Sequence, residues 1–298
     1  GCAGKAKWGL EIGGLATIDI DNHTAFHLEA VQTINSDDQS LSDWYAEVIS
    51  ERKDTLKSIS KYLVADAWFS KKSFVDQIIS LDMHLVSRLR DDADLRYLSK
   101  APLTGKRGRP RKYTGKIDTS NIDRDYFTFI SEDKESLIYA TEVYSKALKR
   151  NILLVHVTYS KENGKDTRKL YFSTDISMNP GDVLLYYHSR FQIEFLYRDG
   201  KQHTGLNDSQ ARSENKLHFQ FNASLTSINI AKAIHWLSIP IKEREAFSMA
   251  DIKTMNHNIL MMNRFFDVFG IYPYSAKTIN MSENLYYTAL WPLKTLTN

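Results

Sequence analysis

The chain has 298 residues and a net charge of +3, with 42% hydrophobic and 25% charged residues. These proportions are typical of a globular protein, and so small a net charge does not by itself indicate a polyanionic partner. No run of about 18 apolar residues occurs, which argues against a membrane-spanning helix. The single cysteine, Cys2, excludes an internal disulfide and a cysteine-rich zinc site. A reducing compartment suits this composition, and we expect a cytoplasmic protein.

The first hundred residues alternate between strand and helix patterns. Two extended stretches within 8–33 flank the turn-forming Asp21-Asn22-His23 and predict an antiparallel hairpin. Apolar residues at helical spacing predict a helix over about 38–58 and another in "SKKSFVDQIISL". The runs "KYLVAD" and "MHLVSRLR" are typical of strands. This order indicates an α/β sheet with a hairpin on one side. It places Asp66 at the carboxyl end of a strand, where such sheets present functional side chains.

A basic, glycine- and proline-containing segment then interrupts the pattern, and residues 101–118 are predicted to form a loop. From Lys100 to Lys116 the chain carries seven basic side chains and no acid. The arginines of its "KRGRPRK" segment are Arg107, Arg109 and Arg111. Two roles are open for them: a hook that enters a narrow A·T-rich minor groove, or a solvated loop that touches phosphates without sequence preference. Both roles predict DNA as a partner.

The rest of the chain is first β-rich and then helical. Four stretches between about 125 and 176 alternate apolar and polar residues, which predicts an antiparallel β insertion. "NPGD" then begins a helix at Pro180. The later segment "NASLTSINIAKAIHWL" is apolar around much of its circumference and is expected to be buried. A last helix is bounded by a capping box at Ser248 and by Gly270. We predict a core at 1–100 and 180–235, an insertion at 101–179 and a C-terminal helical region at 236–298.

The helix after Pro180 carries four residues that could act together. Tyr187, Arg190, Glu194 and Lys201 fall within an arc of about 60° if the helix is continuous. Clustered carboxylates such as Asp66 and Glu194 are suited to two Mg²⁺ or Mn²⁺ ions that clamp a phosphate. Arg190 and Lys201 would hold phosphates nearby, and Tyr187 would stack on a base or bond a phosphate. The alternative is structural: Arg190 and Glu194 form a surface ion pair, and Asp66 caps a turn.

The same residues resemble a known family. Tyr187, Arg190, Glu194 and Lys201 match in spacing the Tyr-Arg-Glu-Lys signature of insertion-sequence 4 type transposases. These bacterial enzymes carry an Asp-Asp-Glu triad on a ribonuclease H-like core with a β insertion before the glutamate helix. "YLVADAWFSKKSF" resembles the segment around their second aspartate. The resemblance implies that Asp66 and Glu194 are the second and third metal ligands, that Tyr187, Arg190 and Lys201 contact the transposon end, and that the protein is a homodimer on DNA.

The chain departs from the family pattern at the first aspartate, which the family places on a strand before the hairpin. Asp19 and Asp21 are the nearest substitutes, but they flank a turn that favours aspartate for local reasons. We therefore expect the first acid upstream of Gly1 and this chain to be inactive alone. Two other functions stay open, a non-catalytic DNA-binding remnant and another ribonuclease H-like nuclease.

Overall fold

The computed structural model describes residues 11–33, 38–100, 111–160, 166–238, 240 and 247–271. The chain forms two compact units, one of residues 33–191 and the other of residues 1–32 with 192–298. The predicted three-part division has other bounds and stays a prediction. Every helix in the described part of the chain is too short or too polar to cross a membrane.

The described residues form ten strands and seven α-helices, which are joined by turns and loops. The strands are β1 (Ile12–Asp19), β2 (Thr24–Gln32), β3 (Tyr62–Val64), β4 (His84–Leu89), β5 (Leu95–Leu98), β6 (Tyr113–Lys116), β7 (Thr128–Glu132), β8 (Ser136–Ser145), β9 (Arg150–Tyr159) and β10 (Thr167–Ser173). The helices are α1 (Leu41–Glu51), α2 (Lys53–Ile59), α3 (Lys72–Ser80), α4 (Pro180–Ser189), α5 (Gln192–His203), α6 (Glu214–Ser238) and α7 (Met249–Phe269).

The unit of residues 33–191 is built on one eight-stranded mixed sheet. Its order is β3-β4-β10-β9-β8-β5-β6, and β7 pairs with β8. β3 and β4 are parallel, whereas β10 is antiparallel to β4, with Tyr171 opposite Arg88. The predicted α/β class and the antiparallel strands are confirmed. The strands of the predicted β insertion belong to the same sheet as β3 and β4, because β10 pairs with β4, and the insertion itself stays a prediction. β6 also lies inside the predicted loop 101–118, where it pairs with β5.

Helices flank this sheet. α3 buries Phe74, Val75 and Ile78 on one face, as their spacing predicts. The segment predicted as one helix over 38–58 forms two helices, because the helical conformation is interrupted at Arg52 between α1 and α2. α4 begins as predicted: the side chain of Asn179 accepts a hydrogen bond from the Gly181 amide, and Pro180 occupies the first turn. A buried valine of α4 then packs into the apolar cluster on the sheet.

The other unit combines the N-terminal hairpin with three helices. β1 and β2 pair antiparallel, as predicted, but they form a two-stranded sheet of their own and not one side of the larger sheet. The hairpin packs with α5 and α6 around a core that includes Ala30, Leu196, Phe221 and Leu225. α7 has its predicted limits, since Ser248 caps its first turn and Gly270 ends it with a left-handed φ of 60°.

The prediction that the "NASLTSINIAKAIHWL" helix is buried is only half correct. On α6, Phe221, Leu225, Ile228 and Ala231 are buried, but Phe219 and Leu237 are 72% and 86% exposed. The helix is apolar on two faces, and the described residues cover one of them.

Candidate functional site

Asp66 is placed by the parallel pair at the edge of the large sheet. It follows the carboxyl end of β3 by two residues, and β4 runs beside it in the same direction. The Asp66 carboxylate accepts a hydrogen bond from the Ala67 amide at 2.7 Å and so caps a short 3-10 helix, Ala67–Phe69. The Ser87 hydroxyl of β4 donates to the Asp66 carbonyl at 3.2 Å. The backbone is therefore fixed while the side chain stays 56% exposed.

Two residues of the predicted signature lie against this carboxylate. The Tyr187 hydroxyl on α4 donates to Asp66 Oδ1 at 3.4 Å. Nη2 of Arg190, the residue that follows α4, is 4.0 Å from the same oxygen. The Arg190 guanidinium also lies 5.5 Å from the centre of the Tyr187 ring. Folding thus brings Asp66 next to Tyr187 and Arg190, which lie more than a hundred residues later in the sequence.

The surroundings of Tyr187 change the pKa of its hydroxyl. Burial, and next the nearby Asp66 carboxylate, raise the pKa of Tyr187 above its usual value. Tyr187 therefore remains a neutral hydroxyl that can donate a hydrogen bond at physiological pH. Nε of Arg190 is buried and finds no hydrogen-bond partner among the described residues. The site thus holds a cation with an unused donor, beside an exposed carboxylate.

Arg88 is a candidate that the sequence reasoning missed. It lies on β4, the strand next to β3, and its Nε is also buried without a partner among the described residues. Its charge lowers the pKa of Tyr187, opposing the larger effect of burial. The Tyr187 ring packs against Tyr171, which is opposite Arg88 in the sheet. An arginine near the carboxyl end of the strand that pairs with the Asp66 strand was the available signal.

The predicted single helix through residues 187 to 201 is wrong. α4 ends at Ser189 and α5 begins at Gln192, so Glu194 and Lys201 lie on a second helix. The Phe191 amide bonds to the carbonyl three residues back, not four, which marks the break. The 60° arc assumed a continuous helix and therefore does not apply. Glu194 and Lys201 are both exposed on α5.

Only part of the basic segment can be placed. Arg107 and Arg109 lie outside the described residues. Arg111 is described, and its guanidinium donates to the backbone carbonyls of Tyr113 at 2.9 Å and Thr114 at 3.1 Å. These bonds hold Arg111 against β6. They use two of the nitrogens of its guanidinium, so other N–H groups can still donate to a ligand.

Asp19 plays the turn role that its position predicts. Its two carboxylate oxygens accept hydrogen bonds from the backbone and side-chain amides of Asn22, at 3.0 and 2.8 Å. Asp21 lies within the same turn and is exposed. These bonds favour turn chemistry over metal binding for Asp19.

The donor chemistry at Asp66 fits a divalent ion, but one carboxylate does not complete a site. Mg²⁺ and Mn²⁺ prefer hard oxygen ligands. Across the described residues, no group of three or more His, Cys, Asp or Glu side chains is arranged to hold a metal ion. The guanidinium of Arg190 near the same oxygen also opposes a cation. Asp66 can therefore supply one ligand, and further carboxylates are required.

Comparison with known proteins identifies the family. No curated protein matches the chain. The family model described as "Transposase DDE domain" matches residues 46–230, more than half of the chain. The match includes Asp66 with its α4 partners and extends through α5. Domains of this family generally use divalent metal ions, and transposases act on DNA. The chain therefore belongs to the transposase DDE domain family.

Proposed function

We propose that the chain is the catalytic domain of an insertion-sequence 4 type transposase, which nicks DNA at the ends of its element and transfers the freed strand. The observation that carries this proposal is the cluster of Asp66, Tyr187 and Arg190. A surface ion pair alone would not need an arginine with a buried, unused donor. The Arg190 side chain is also 26% exposed, and its exposed part is suited to a phosphate oxygen.

Asp66 and Glu194 are proposed as ligands of two Mg²⁺ or Mn²⁺ ions. Both residues are exposed carboxylates in the matched region. When bound, the ions supply Lewis-acid activation of the attacking oxygen and stabilisation of the leaving oxygen. Arg190 Nη2 lies 4.0 Å from the Asp66 carboxylate, and its charge is proposed to hold that carboxylate in place between catalytic events.

The other residues are proposed to bind and orient double-stranded DNA. Arg190 and Arg88 offer guanidinium donors to phosphate oxygens, and neutral Tyr187 donates one hydrogen bond. Lys201 on α5 is proposed as a point charge for the backbone of the transposon end. The basic segment would add phosphate contacts that do not depend on the DNA sequence. Its arginines are Arg107, Arg109 and Arg111.

Replacement of the central carboxylate tests the catalytic proposal. In the full-length protein, Asp66→Asn is expected to lower Mg²⁺-dependent nicking by at least about 100-fold, because a neutral amide is a poor ligand for a hard cation. The substrate is a supercoiled plasmid that carries the coding sequence with its native flanking DNA. The readout is conversion to open circles with Mg²⁺ and with EDTA.

Asp82→Asn is the matched control. Asp82 is a 93% exposed carboxylate that pairs with Lys57, and its left-handed φ of 59° suits asparagine. Nicking by this variant should equal that of the parent protein. Equal nicking by Asp66→Asn would contradict the catalytic proposal. A parent protein that binds DNA through Arg190 without nicking it would instead support the non-catalytic DNA-binding function.

A further inference from the structure

The orientation of α6 is fixed by its inner face. The Asn222 side chain accepts a hydrogen bond from the Ala30 amide and donates to the Ala30 carbonyl, both at 2.9 Å. Asn229 makes the equivalent pair of bonds with His27, at 2.9 and 2.7 Å. These asparagines bind β2 through backbone groups, so the helix cannot rotate without breaking four hydrogen bonds. The opposite face is therefore held outward.

That outward face is apolar along most of the helix. Its exposed residues are Phe219, Ala223, Thr226, Ile230, Ala233, Ile234 and Leu237, which we call the α6 stripe. The four large side chains are 72%, 55%, 57% and 86% exposed, in chain order. Over this length the charged side chain Lys232 points inward and is 3% exposed. A stripe of about 27 Å with no exposed charge is unusual for a helix that faces water.

The spacing of the stripe is that of a coiled-coil seam. From Phe219 to Leu237, six of its residues are separated by 4, 3, 4, 3 and 4 positions, and Ile234 lies beside the seam. This series reads the same in both directions. A second α6 helix running antiparallel would therefore present the same series of positions, as a two-fold interface requires.

We propose that the α6 stripe is a dimer interface in which two copies of this chain pair their α6 helices antiparallel. Phe219 would face Leu237 of the partner subunit, and Ala223 would face the partner's Ala233. Large residues then close the two ends, Thr226 faces the partner's Ile230 in the middle, and the alanine pairs between these layers allow the helices to approach closely. Neither helix brings an exposed charge into the contact.

The buried area is consistent with a specific dimer. Covering the exposed parts of the four large side chains in both copies removes on the order of 1,000 Å² from water, about the minimum expected of a biological interface. A lipid surface is a poorer match, because membrane-binding helices place Lys or Arg beside their apolar face. The inference concerns assembly without DNA and does not depend on the proposed catalysis.

A charge placed on the stripe tests the interface. Ile230→Glu is expected to weaken dimerisation at least about 100-fold, because each copy would bury an unpaired carboxylate. Sedimentation velocity over a concentration series, without DNA, measures the dissociation constant. Val268→Glu is the matched control: Val268 is 77% exposed on α7, outside the stripe, so the dimer should persist. A monomeric parent protein, or an Ile230→Glu variant that dimerises like it, would overturn the proposal.

Disulfide trapping tests the direction of pairing. Chains with Ala223→Cys and chains with Ala233→Cys, both made with Cys2→Ala, are oxidised separately and as a mixture. Antiparallel pairing predicts a disulfide in the mixture alone, because equal positions lie about 15 Å apart along the helix axis, too far for a disulfide. Cross-linking of either variant with itself, at the rate of the mixture, would overturn the antiparallel arrangement.

Discussion

Each of the two units holds a basic side chain next to aromatic rings, but the surroundings of these two side chains differ. Arg190 is beside the exposed carboxylate of Asp66, and one of its donors is buried without a partner among the described residues. Lys232 of α6 is buried, donates to the Ala25 carbonyl at 2.6 Å and lies over two phenylalanine rings. Arg190 can therefore still donate hydrogen bonds to a ligand, whereas the ammonium of Lys232 interacts only with groups of its own unit among the described residues.

This difference separates a binding cation from a structural one. Arginine stays charged when partly buried and offers several donors in a fixed plane, so the exposed part of the Arg190 side chain can still bind a ligand. Lysine responds to burial by losing its proton more easily. Burial lowers the pKa of Lys232 to about 8, although the nearby Asp199 carboxylate opposes the shift. Stability measurements should therefore report on Lys232, and DNA binding on Arg190.

The largest expected effect is the dependence of stability on pH through Lys232. Between about pH 8 and pH 10.5 the unfolded chain holds a proton on this lysine that the folded chain has released. The free energy of unfolding should therefore rise with pH across this window, by up to about 3 kcal/mol. Lys232→Met should abolish that rise. Urea unfolding at several pH values between 7 and 10.5 measures it.

Lys253→Met serves as the control for this experiment, because Lys253 is an exposed lysine on α7. Its unfolding should show the same pH dependence as the parent protein. At pH 7 the Lys232→Met substitution has two opposing effects on the free energy of unfolding: it removes a buried charge, and it removes the hydrogen bond to the Ala25 carbonyl. The variants are therefore compared by the slope of the free energy of unfolding against pH, not by its value at pH 7. A slope unchanged by Lys232→Met would mean that Lys232 titrates like an exposed lysine.

The second effect is on DNA affinity. Arg190→Ala should weaken binding about 10- to 30-fold, corresponding to about 1.5–2 kcal/mol for a charge-assisted phosphate contact. It should also reduce the magnitude of the salt-dependence slope by about one. Fluorescence anisotropy with duplex DNA over a salt series measures both quantities. Arg190→Lys should retain the slope and lose part of the affinity, because lysine lacks the planar pair of donors.

Arg124→Ala provides the comparison within the same unit. Arg124 is exposed and lies over the ring of Tyr139 on β8, a strand that pairs with neither β3 nor β4. Its removal should leave the affinity within about twofold of the parent value. If both variants lost the same affinity and slope, the contribution of Arg190 would be general charge and not a specific phosphate contact.

Local chemistry made some elements predictable. The turn at Asp21-Asn22-His23, the Asn179 cap of α4 and the limits of α7 at Ser248 and Gly270 follow from residues whose signals act within a few positions. The position of Asp66 after a strand and its family resemblance followed from one segment, "YLVADAWFSKKSF". These predictions needed no knowledge of distant contacts.

The features that sequence reasoning missed depend on pairing between distant segments. β6, "YTGK", has little apolar character and becomes a strand because β5 offers it backbone partners. The join of β10 to β4 cannot be read from either strand alone. The break between α4 and α5 occurs in "HSRFQ", which contains neither glycine nor proline. Arg88 gains its place in the site only when β4 aligns with β3.

The smallest expected effect separates the hydroxyl of Tyr187 from its ring. Tyr187→Phe removes a long hydrogen bond to an exposed carboxylate, so the free energy of unfolding should change by less than about 1 kcal/mol. Nicking should fall only several-fold, because the ring that contacts the Arg190 guanidinium is retained. Tyr187→Ala also removes that ring contact, worth about 0.5–1 kcal/mol, and should weaken DNA binding further. Equal DNA affinities for the two variants would show that the ring does not position Arg190, and that burial among the neighbouring side chains is sufficient to hold it.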